Sequence, residues 1–327
     1  MMDWTDRHCR RFHRLLAPSA LLYTEMVTTG AVLHGRADRF LAFAPEESPV
    51  ALQLGGAEPD DLARAAALAA GYGYAEVNLN CGCPSPRVQK GCFGAALMAE
   101  PDRVAACVAA MRAATPLPVT VKCRIAIDDE DPEAFLDRFV DAVAEAGCGT
   151  FVVHARKAWL RGLSPKENRT VPPLDYDRVA RLKARRPDLE IILNGGIVAP
   201  EAAAREAARF DGVMVGREAY QNPLSLPRFA ATLEGRSAIE PDPFDLIERM
   251  AGYAEVEGRK GVPVKAVLRH LLGLANGRPG ARAFRRDLAA AMAAPDAGGD
   301  VLRRAARHLD PLASDPRSCR EAKAALP

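Results

Sequence analysis

Four short strings bring together side chains capable of chemistry. The first, Asn78-Leu-Asn-Cys-Gly-Cys-Pro-Ser85, sets Cys83 between a glycine and a proline. A rigid turn of that kind can hold a thiol in one direction. Thiols ordinarily ionise at about 8.5, so one that is fixed and mostly protonated at neutral pH can serve as general acid as well as nucleophile. Cys81 is the nearest competitor, but two residues away on a turning chain its side chain need not point the same way. The bland reading of a cysteine, a small buried hydrophobe, suits Cys107 and Cys148 better. The second signal is Lys122, which closes the run Pro118-Val-Thr-Val-Lys122. A cation at that position costs desolvation unless it faces an anion; an anionic reduced flavin ring and a Schiff-base carbonyl are both candidates. His154 closes Thr150-Phe-Val-Val-His154 in the same manner. It reads as a ligand group rather than a satisfied core histidine because it sits at the same end of its strand as the others. The fourth signal is a pair of turns, Asn194-Gly195-Gly196 and Gly216-Arg217, whose backbone N–H groups suit a phosphate. Each alone is only a turn; the two at matching strand ends point to a ligand.

These residues need a frame that gathers strand ends. Apolar runs near 20–24, 50–54, 75–79, 118–123, 150–154, 190–194 and 212–215 read as strands, and helix-period segments such as Asp60–Ala70, Asp102–Ala114, Glu133–Ala146 and Tyr176–Arg185 lie between them. Strand followed by helix, repeated, predicts a parallel sheet covered by helices. The runs end in Thr24-Glu25, Gln53, Asn78 to Asn80, Lys122, His154, Asn194 to Gly196 and Gly216-Arg217. In a (β/α)8 barrel all of these converge on one mouth, whereas in an open sheet only those at the switch point would meet. The expectation is therefore a TIM barrel that lacks its first strand, because seven runs are visible and Asp6 to Leu16 already reads as a helix. Counting that strand as the first, the glycine turns follow strands seven and eight. Glu240-Pro-Asp-Pro-Phe244 reads as a linker to a small, wholly helical domain, giving domains at 1–240 and 241–327.

Composition narrows the class. The chain has 327 residues, 49% hydrophobic and 26% charged, which excludes a disordered or disulfide-stapled protein. Its longest stretch free of Asp, Glu, Lys and Arg is the eleven residues Ala65–Ala75, short of the ~20 that a spanning helix needs. With no leader at Met1-Met-Asp-Trp4, the expected location is the cytoplasm. The eight cysteines form no C-x-x-C pair and no metal spacing, so free thiols and no metal are expected. The net charge of +2 hides an asymmetry: from Pro243 onward there are 15 Lys+Arg against 10 Asp+Glu, and 29 against 32 before it. Arg259 to Arg286 holds eight basic residues and no acidic one. Such a block is either a solvated helix face or a polyanion contact.

The strings together resemble one family. Met1-Met-Asp-Trp-Thr-Asp-Arg-His-Cys-Arg10, Leu22-Tyr-Thr-Glu-Met-Val-Thr-Thr-Gly30, Pro49-Val-Ala-Leu-Gln-Leu-Gly-Gly56, Gly82-Cys-Pro-Ser85 and His154-Ala-Arg-Lys-Ala-Trp-Leu160 are of the kind found in tRNA-dihydrouridine synthases. So are Asn194-Gly-Gly-Ile197 and Gly212-Val-Met-Val-Gly-Arg-Glu-Ala-Tyr-Gln-Asn222, and Gly162-Leu-Ser-Pro-Lys-Glu-Asn-Arg169 is distinctive of the bacterial A-type. The resemblance implies an FMN-dependent TIM barrel with a helical domain, reducing the C5=C6 bond of uridines 20 and 20a in the tRNA D-loop with NADPH. It implies FMN contacts at Met1, Met2, Gln53, Lys122, His154, Asn194, Gly195, Gly196, Gly216 and Arg217, with Cys83 as the proton donor. It implies tRNA contacts at Asn80, Lys166, Arg169, Arg282 and Arg285. A D-loop uridine packed in the tRNA elbow would be flipped into the barrel mouth while basic residues grip phosphates; the protein is expected to act as a monomer. Other enzymes of this build act on free pyrimidines, but these would leave the basic helical domain without a purpose. A catalytically silent tRNA-binding protein is the other alternative.

Three features depart from the family pattern. The usual Ala-Pro and first strand before Met1 are absent, which puts barrel closure and one FMN contact in question. Cys81 and Cys123 add thiols expected near the flavin, where oxidation or pairing would threaten. Lys90-Gly-Cys92 replaces a more polar loop beside Cys83 and would alter its mobility.

Overall fold

A computed structural model describes residues 1–294 and 297–309. Residues 310–327, with Cys319 and the end of the expected helical domain, lie outside the described part. Seven strands, β1 (Leu22–Thr28), β2 (Val50–Gly55), β3 (Glu76–Asn80), β4 (Val119–Arg124), β5 (Thr150–His154), β6 (Glu190–Asn194) and β7 (Gly212–Met214), form one sheet in sequential order. Every neighbouring pair is parallel, the order of a (β/α)8 barrel wall. Among the described residues no eighth strand joins β1 to β7.

Three helices, at Pro59, Pro101 and Pro132, begin one residue earlier than the hydrophobic period suggests because proline opens them. Pro59, Pro101, Pro132, Pro200 and Pro243 each stand in the first turn, where the missing N–H has no intrahelical partner to lose and φ is already helical. A larger correction concerns β1. Thr24-Glu25 is not a strand end: register shifts between Tyr23 and Met26, after which Met26, Val27 and Thr28 go on pairing with Gln53, Leu54 and Gly55. Thr24 Oγ1 absorbs the irregularity by donating to Glu25 O (2.7 Å) and accepting from Gln53 N (2.9 Å).

Period-two alternation sorts each strand into two faces. Leu52, Leu54, Val77, Leu79, Val121 and Cys123 are fully buried in the core that helices Pro59–Ala70 and Pro101–Ala114 complete with Leu62, Ala65, Val104 and Val108. Each such aliphatic side chain contributes roughly 1.5–3 kcal/mol. The opposite face of β2, β3 and β4 carries polar groups joined in a single direction. Asn80 Nδ2 donates to Gln53 Oε1 (2.8 Å), Gln53 Nε2 to Asn78 Oδ1 (3.0 Å), Asn78 Nδ2 to Thr120 Oγ1 (2.8 Å) and Thr120 Oγ1 to Glu76 Oε1 (3.0 Å), where Tyr23 also donates (2.5 Å). Burial raises the Glu76 carboxyl and the Tyr23 hydroxyl above their ordinary values.

A second core gathers Leu246, Ile247 and Met250 of helix Pro243–Arg259 with Leu268, Leu271, Phe284, Leu288 and Leu302. Among the described residues its regular elements are all helices, and between Leu268 and Ala281 the chain turns through Gly277 and Gly280, both at positive φ. A side chain at Gly280 would collide with the His308 carbonyl at 1.6 Å, so the turn demands glycine. Phe12 and Leu16 of helix Arg7–Leu16 belong to this second core although they precede β1. No helix in the described residues is long and apolar enough to cross a membrane.

Asp6 fastens the N-terminal segment to the second core. Its carboxylate caps helix Arg7–Leu16 through the N–H groups of His8 and Cys9, both at 3.0 Å. It also meets His270 Nε2 at 2.9 Å and pairs with the Arg269 guanidinium. Burial alone would raise this carboxyl, but His270, the backbone donors and Arg269 together hold it well below the ordinary carboxylate range. Substituting Asp6→Ala removes a cap and a largely buried ion pair, an expected loss of about 3 kcal/mol at pH 7. Because the folded-state pKa is depressed, this contribution is complete above the unfolded value of about 4 and fades as pH falls below it. Urea unfolding of both proteins at pH 7 and pH 3 checks this: the gap should narrow in acid, and an equal gap at both values would assign the loss to packing.

Candidate active site

The turn carrying Cys83 is built by its neighbours. Asn80, the last residue of β3, accepts through Oδ1 from the N–H groups of Gly82 (3.0 Å) and Cys83 (2.9 Å). Its amide nitrogen is engaged with Gln53, so Asn80 is buried and fixes the turn from inside the wall. The Cys83 carbonyl accepts from Ala95 N at 2.9 Å. Gly94 (φ +73°) makes that return possible, since a Cβ there would lie 2.6 Å from the Cys83 carbonyl oxygen and 2.4 Å from Val88. The half-buried Cys83 thiol points toward Ser85 Oγ, 3.6 Å away. Cys81 and Cys123 instead face the apolar core and are fully buried. Burial pushes the Cys123 thiol up to about 12 and raises Cys81 as well. The expectation that they would be reactive thiols beside a flavin is thereby corrected: strand alternation turns them away from the polar face. The seven described cysteines are all free.

On the polar face of β4 to β6, register lines Arg124, His154 and Asn194 up across three strands, with Lys122 one step before. Lys122 Nζ donates to Asn194 Oδ1 (3.0 Å), and Asn194 Nδ2 donates to the Met214 carbonyl on β7 (2.8 Å). Burial, then the charge of Arg124, lowers the Lys122 ammonium to about 8. His154 is held neutral by burial and by Arg124, Lys122, Arg156 and Arg217 around it. Arg169 too is lowered by burial and by Arg217. This crowd of cations stands beside the Gly195-Gly196 turn, where φ is +112° and +69°. A Cβ at Gly195 would be 2.6 Å from the His154 ring and one at Gly196 2.4 Å from Leu174, so only bare backbone fits. Arg156 Nε is buried beside them without a partner. Like charges crowded around open backbone make a site for an anion.

The segment after β5 carries Lys166 and Arg169. Asn168, fully buried between them, exchanges bonds with Trp159: its Oδ1 accepts from Trp159 N (2.7 Å) and its Nδ2 donates to Trp159 O (2.9 Å) and Leu163 O (3.2 Å). Arg124 donates to the carbonyls of Gly82 (3.1 Å), Lys157 (3.0 Å) and Asn168 (2.8 Å). Arg217 Nη2 reaches the Arg169 carbonyl at 3.0 Å. Lys166 is left exposed and Arg169 half-buried.

Cys83, Lys122, His154, Asn194, Gly195 and Gly196 thus gather toward the carboxyl end of the sheet, whereas Gln53 is not a strand end, since β2 runs on to Gly55, and sits on the polar face beside Asn78 and Asn80. Met1 Sδ lies 3.8 Å from where a Gly216 side chain would start, whereas Met2 is exposed. Arg282 and Arg285 are on helix Ala281–Ala293 of the second core, Arg282 exposed and Arg285 donating to Asn276 Oδ1 at 3.0 Å. The basic block is not uniformly free: Arg269 is tied to Asp6 and Lys260 to Glu257 at 2.7 Å. The sequence reading passes over Arg124, Arg156 and Asn168. The first two stand two residues beyond Lys122 and His154, a spacing that marks Arg124 as sharing a face with Lys122, and the third is inside a string already singled out.

The dihydrouridine synthase family model matches residues 1–309. The chain belongs to the dihydrouridine synthase family. Members are flavin-dependent oxidoreductases that reduce uridines in tRNA. A curated protein of Xanthomonas axonopodis pv. citri named tRNA-dihydrouridine(20/20a) synthase is 55% identical over 310 residues, 95% of this chain and 92% of its own. Proteins of the same name from Shewanella oneidensis (55%, covering 93% and 90%) and Vibrio cholerae (54%, covering 93% of each) are similarly alike. In this dihydrouridine synthase, Asn168→Asp keeps the shape but sets an acceptor against buried carbonyls. Opening of 157–170 should become easier by about 2 kcal/mol, or ~30-fold faster amide exchange, with β3 and β4 unchanged. Unaltered exchange in 157–170 would remove Asn168 as the organiser of that segment.

Proposed function

We propose that this chain reduces the C5=C6 bond of tRNA uridines 20 and 20a, with FMN as cofactor and NADPH as reductant, and that the Cys83 thiol donates the proton. The observation that carries this reading is the fixed Cys83 turn beside a glycine and cation cradle, in a chain more than half identical to curated tRNA-dihydrouridine(20/20a) synthases. The cradle suits FMN: backbone N–H groups at Gly195, Gly196 and Gly216 would donate to a phosphate, with Arg217 and the unpartnered Arg156 Nε within the same cluster. Lys122, Gln53, His154 and Asn194 line the approach to a ring. FMN, when bound, supplies hydride drawn from NADPH to uridine C6.

The protein's own part is position and protons. Asn80 holds the Cys83 N–H and so the direction of the thiol, which delivers its proton to C5 of a uridine held against it. Lys122 keeps a positive charge where negative charge gathers. His154, kept neutral by its cationic neighbours, is available as a hydrogen-bond partner rather than as a further charge. Lys166 and Arg169 meet the nucleic acid beside the mouth, and Arg282 and Arg285 meet it on the helical domain, with the uridine flipped out of its stack. Free thiols and a tRNA substrate both fit a monomer working in the cytoplasm.

Mass spectrometry of unmodified tRNA after incubation with FMN-loaded protein and NADPH, mapped by nuclease digestion, tests the reaction and its site. Cys83→Ala should keep flavin absorbance and reduction by NADPH while losing 10²- to 10⁴-fold in dihydrouridine formation, roughly the value of a general acid. Full activity in that variant would dismiss the thiol as donor, and no product from the wild type would leave an RNA-binding protein. Lys122 gives a second check. Its ammonium titrates at about 8, so binding an anionic group must draw a proton above that pH. FMN affinity should fall as pH rises from 7 to 9.5, by up to tenfold per unit beyond 8, and Lys122→Met should flatten the profile. A wild-type profile that is itself flat would show that the ammonium takes no part.

A further inference from the structure

Cys83 is flanked by two carbonyls, Gly82 and Pro84, and each is held by a side chain that also holds the segment carrying Lys166 and Arg169. Arg124 takes the Gly82 carbonyl together with those of Lys157 and Asn168. On the other side, Gln89 Nε2 donates to the Pro84 carbonyl (2.8 Å) and to the Leu160 carbonyl (2.8 Å), 71 residues away in sequence. Leu160 is pinned from its other side as well, its N–H donating to Asp128 Oδ1 at 2.8 Å. Both hydrogens of one amide are therefore spent on bridging the loop after β3 to the loop after β5, at a point that the loop after β4 has already fixed. The rest of this segment is held at its ends by Asn80 at Cys83 N and by the Cys83 carbonyl on Ala95 N, and between them the short helix Pro86–Lys90 carries Gln89. Gly91, Cys92 and Phe93 donate back to Val88 and Gln89, so this turn is closed on itself, and the Gln89 amide joins it to Leu160.

We propose that Gln89 is a positioning residue: its amide clasps the Cys83 turn to the Lys166/Arg169 segment and so sets the height of the thiol against a uridine seated on that segment. This rests on the reading of Cys83 as proton donor given above. An Arg124 substitution would remove a buried guanidinium from the wall and confuse folding with positioning. Gln89 is half-buried on the short helix Pro86–Lys90 and can be changed with less disturbance. Glutamate in its place retains the shape, but a carboxylate cannot donate to either carbonyl. Leucine retains most of the bulk and neither donor.

The test uses full-length, FMN-loaded Gln89→Glu and Gln89→Leu. Reoxidation of NADPH-reduced flavin by saturating unmodified tRNA should slow about tenfold or more in both, the scale of a small misplacement at a reacting centre. The tRNA KM should stay within about twofold and flavin reduction by NADPH should not change. Independently of turnover, iodoacetamide should label Cys83, identified by peptide mapping, several-fold faster than in the wild type, because the turn is loosened. Wild-type reoxidation and wild-type Cys83 labelling in Gln89→Glu would overturn the clasp. So would a rise in tRNA KM with turnover unchanged, which would make Gln89 part of the docking surface. The parallel Cys83→Ala protein separates the two ideas: if it turns over fully, the donor reading fails whatever Gln89 does, and if it is defective while the Gln89 variants are normal, only the clasp fails.

Discussion

A guanidinium buried without a carboxylate partner organises the mouth of this barrel. Arg124 is almost wholly out of water, and its charge is met by the carbonyl dipoles of Gly82, Lys157 and Asn168. Burial draws it down to about 10, still well above neutrality, so the charge persists. A buried cation answered only by dipoles is a demanding arrangement, because removing any one carbonyl leaves charge unsatisfied. That demand fixes the spacing between the Cys83 turn and the segment after β5. It also adds to the positive potential that keeps His154 neutral and lowers Lys122. The same side chain thus sets distances and electrostatics, and both favour an anion at the strand ends.

The polar face beneath the mouth obeys a different constraint. Side chains buried inside a barrel wall must satisfy one another, and here they do so in one direction from Asn80 to Glu76 across three strands. Each amide in that series has its oxygen and nitrogen assigned by its neighbours, so none can flip without leaving an unpaired group. Asn80 is the end of the series and the start of the Cys83 turn. The direction of the thiol is consequently anchored four side chains deep in the wall rather than in a mobile loop.

Much of this was legible in the residues, for physical reasons that differ from element to element. Strands and their polar ends could be read because a parallel sheet covered by helices produces apolar runs closed by functional groups, as at Pro118 to Lys122. The family strings located Cys83, the glycine turns and Lys166. Thr24-Glu25 was misread as an end because a bulge carries no signature in apolarity alone. Arg124, Arg156, Gln89 and Asn168 escaped because what they bind is mostly backbone, and a carbonyl has no residue type. Gln89 and Leu160 are 71 residues apart, Arg124 and Gly82 42, and nothing in a pattern of side chains records such a meeting. Local rules gave the elements, and the positioning contacts came only with the register that brings β3, β4 and β5 side by side.

The basic stretch 259–286 illustrates how charge counting mixes two roles. By composition its eight cations are alike, yet Arg269 spends its charge on Asp6, next to the N-terminal residues that run past Gly216, and neighbouring His270 completes that contact. Trp4 stacks on Tyr220 with ring centroids 4.3 Å apart, and the Tyr220 hydroxyl lies 3.1 Å from His270. The N-terminal segment, whose Met1 reaches Gly216, and the turn at Arg269-His270 are therefore one packed unit, while Arg259, Lys265, Arg278 and Arg282 have no carboxylate within 4 Å among the described residues. A surface that grips a polyanion transmits position only if some of its cations are tied to the frame and others are left free. The division between Arg269 and its neighbours supplies both: Asp6 ties Arg269 to the N-terminal segment that reaches Gly216, and the other cations are left without a carboxylate among the described residues.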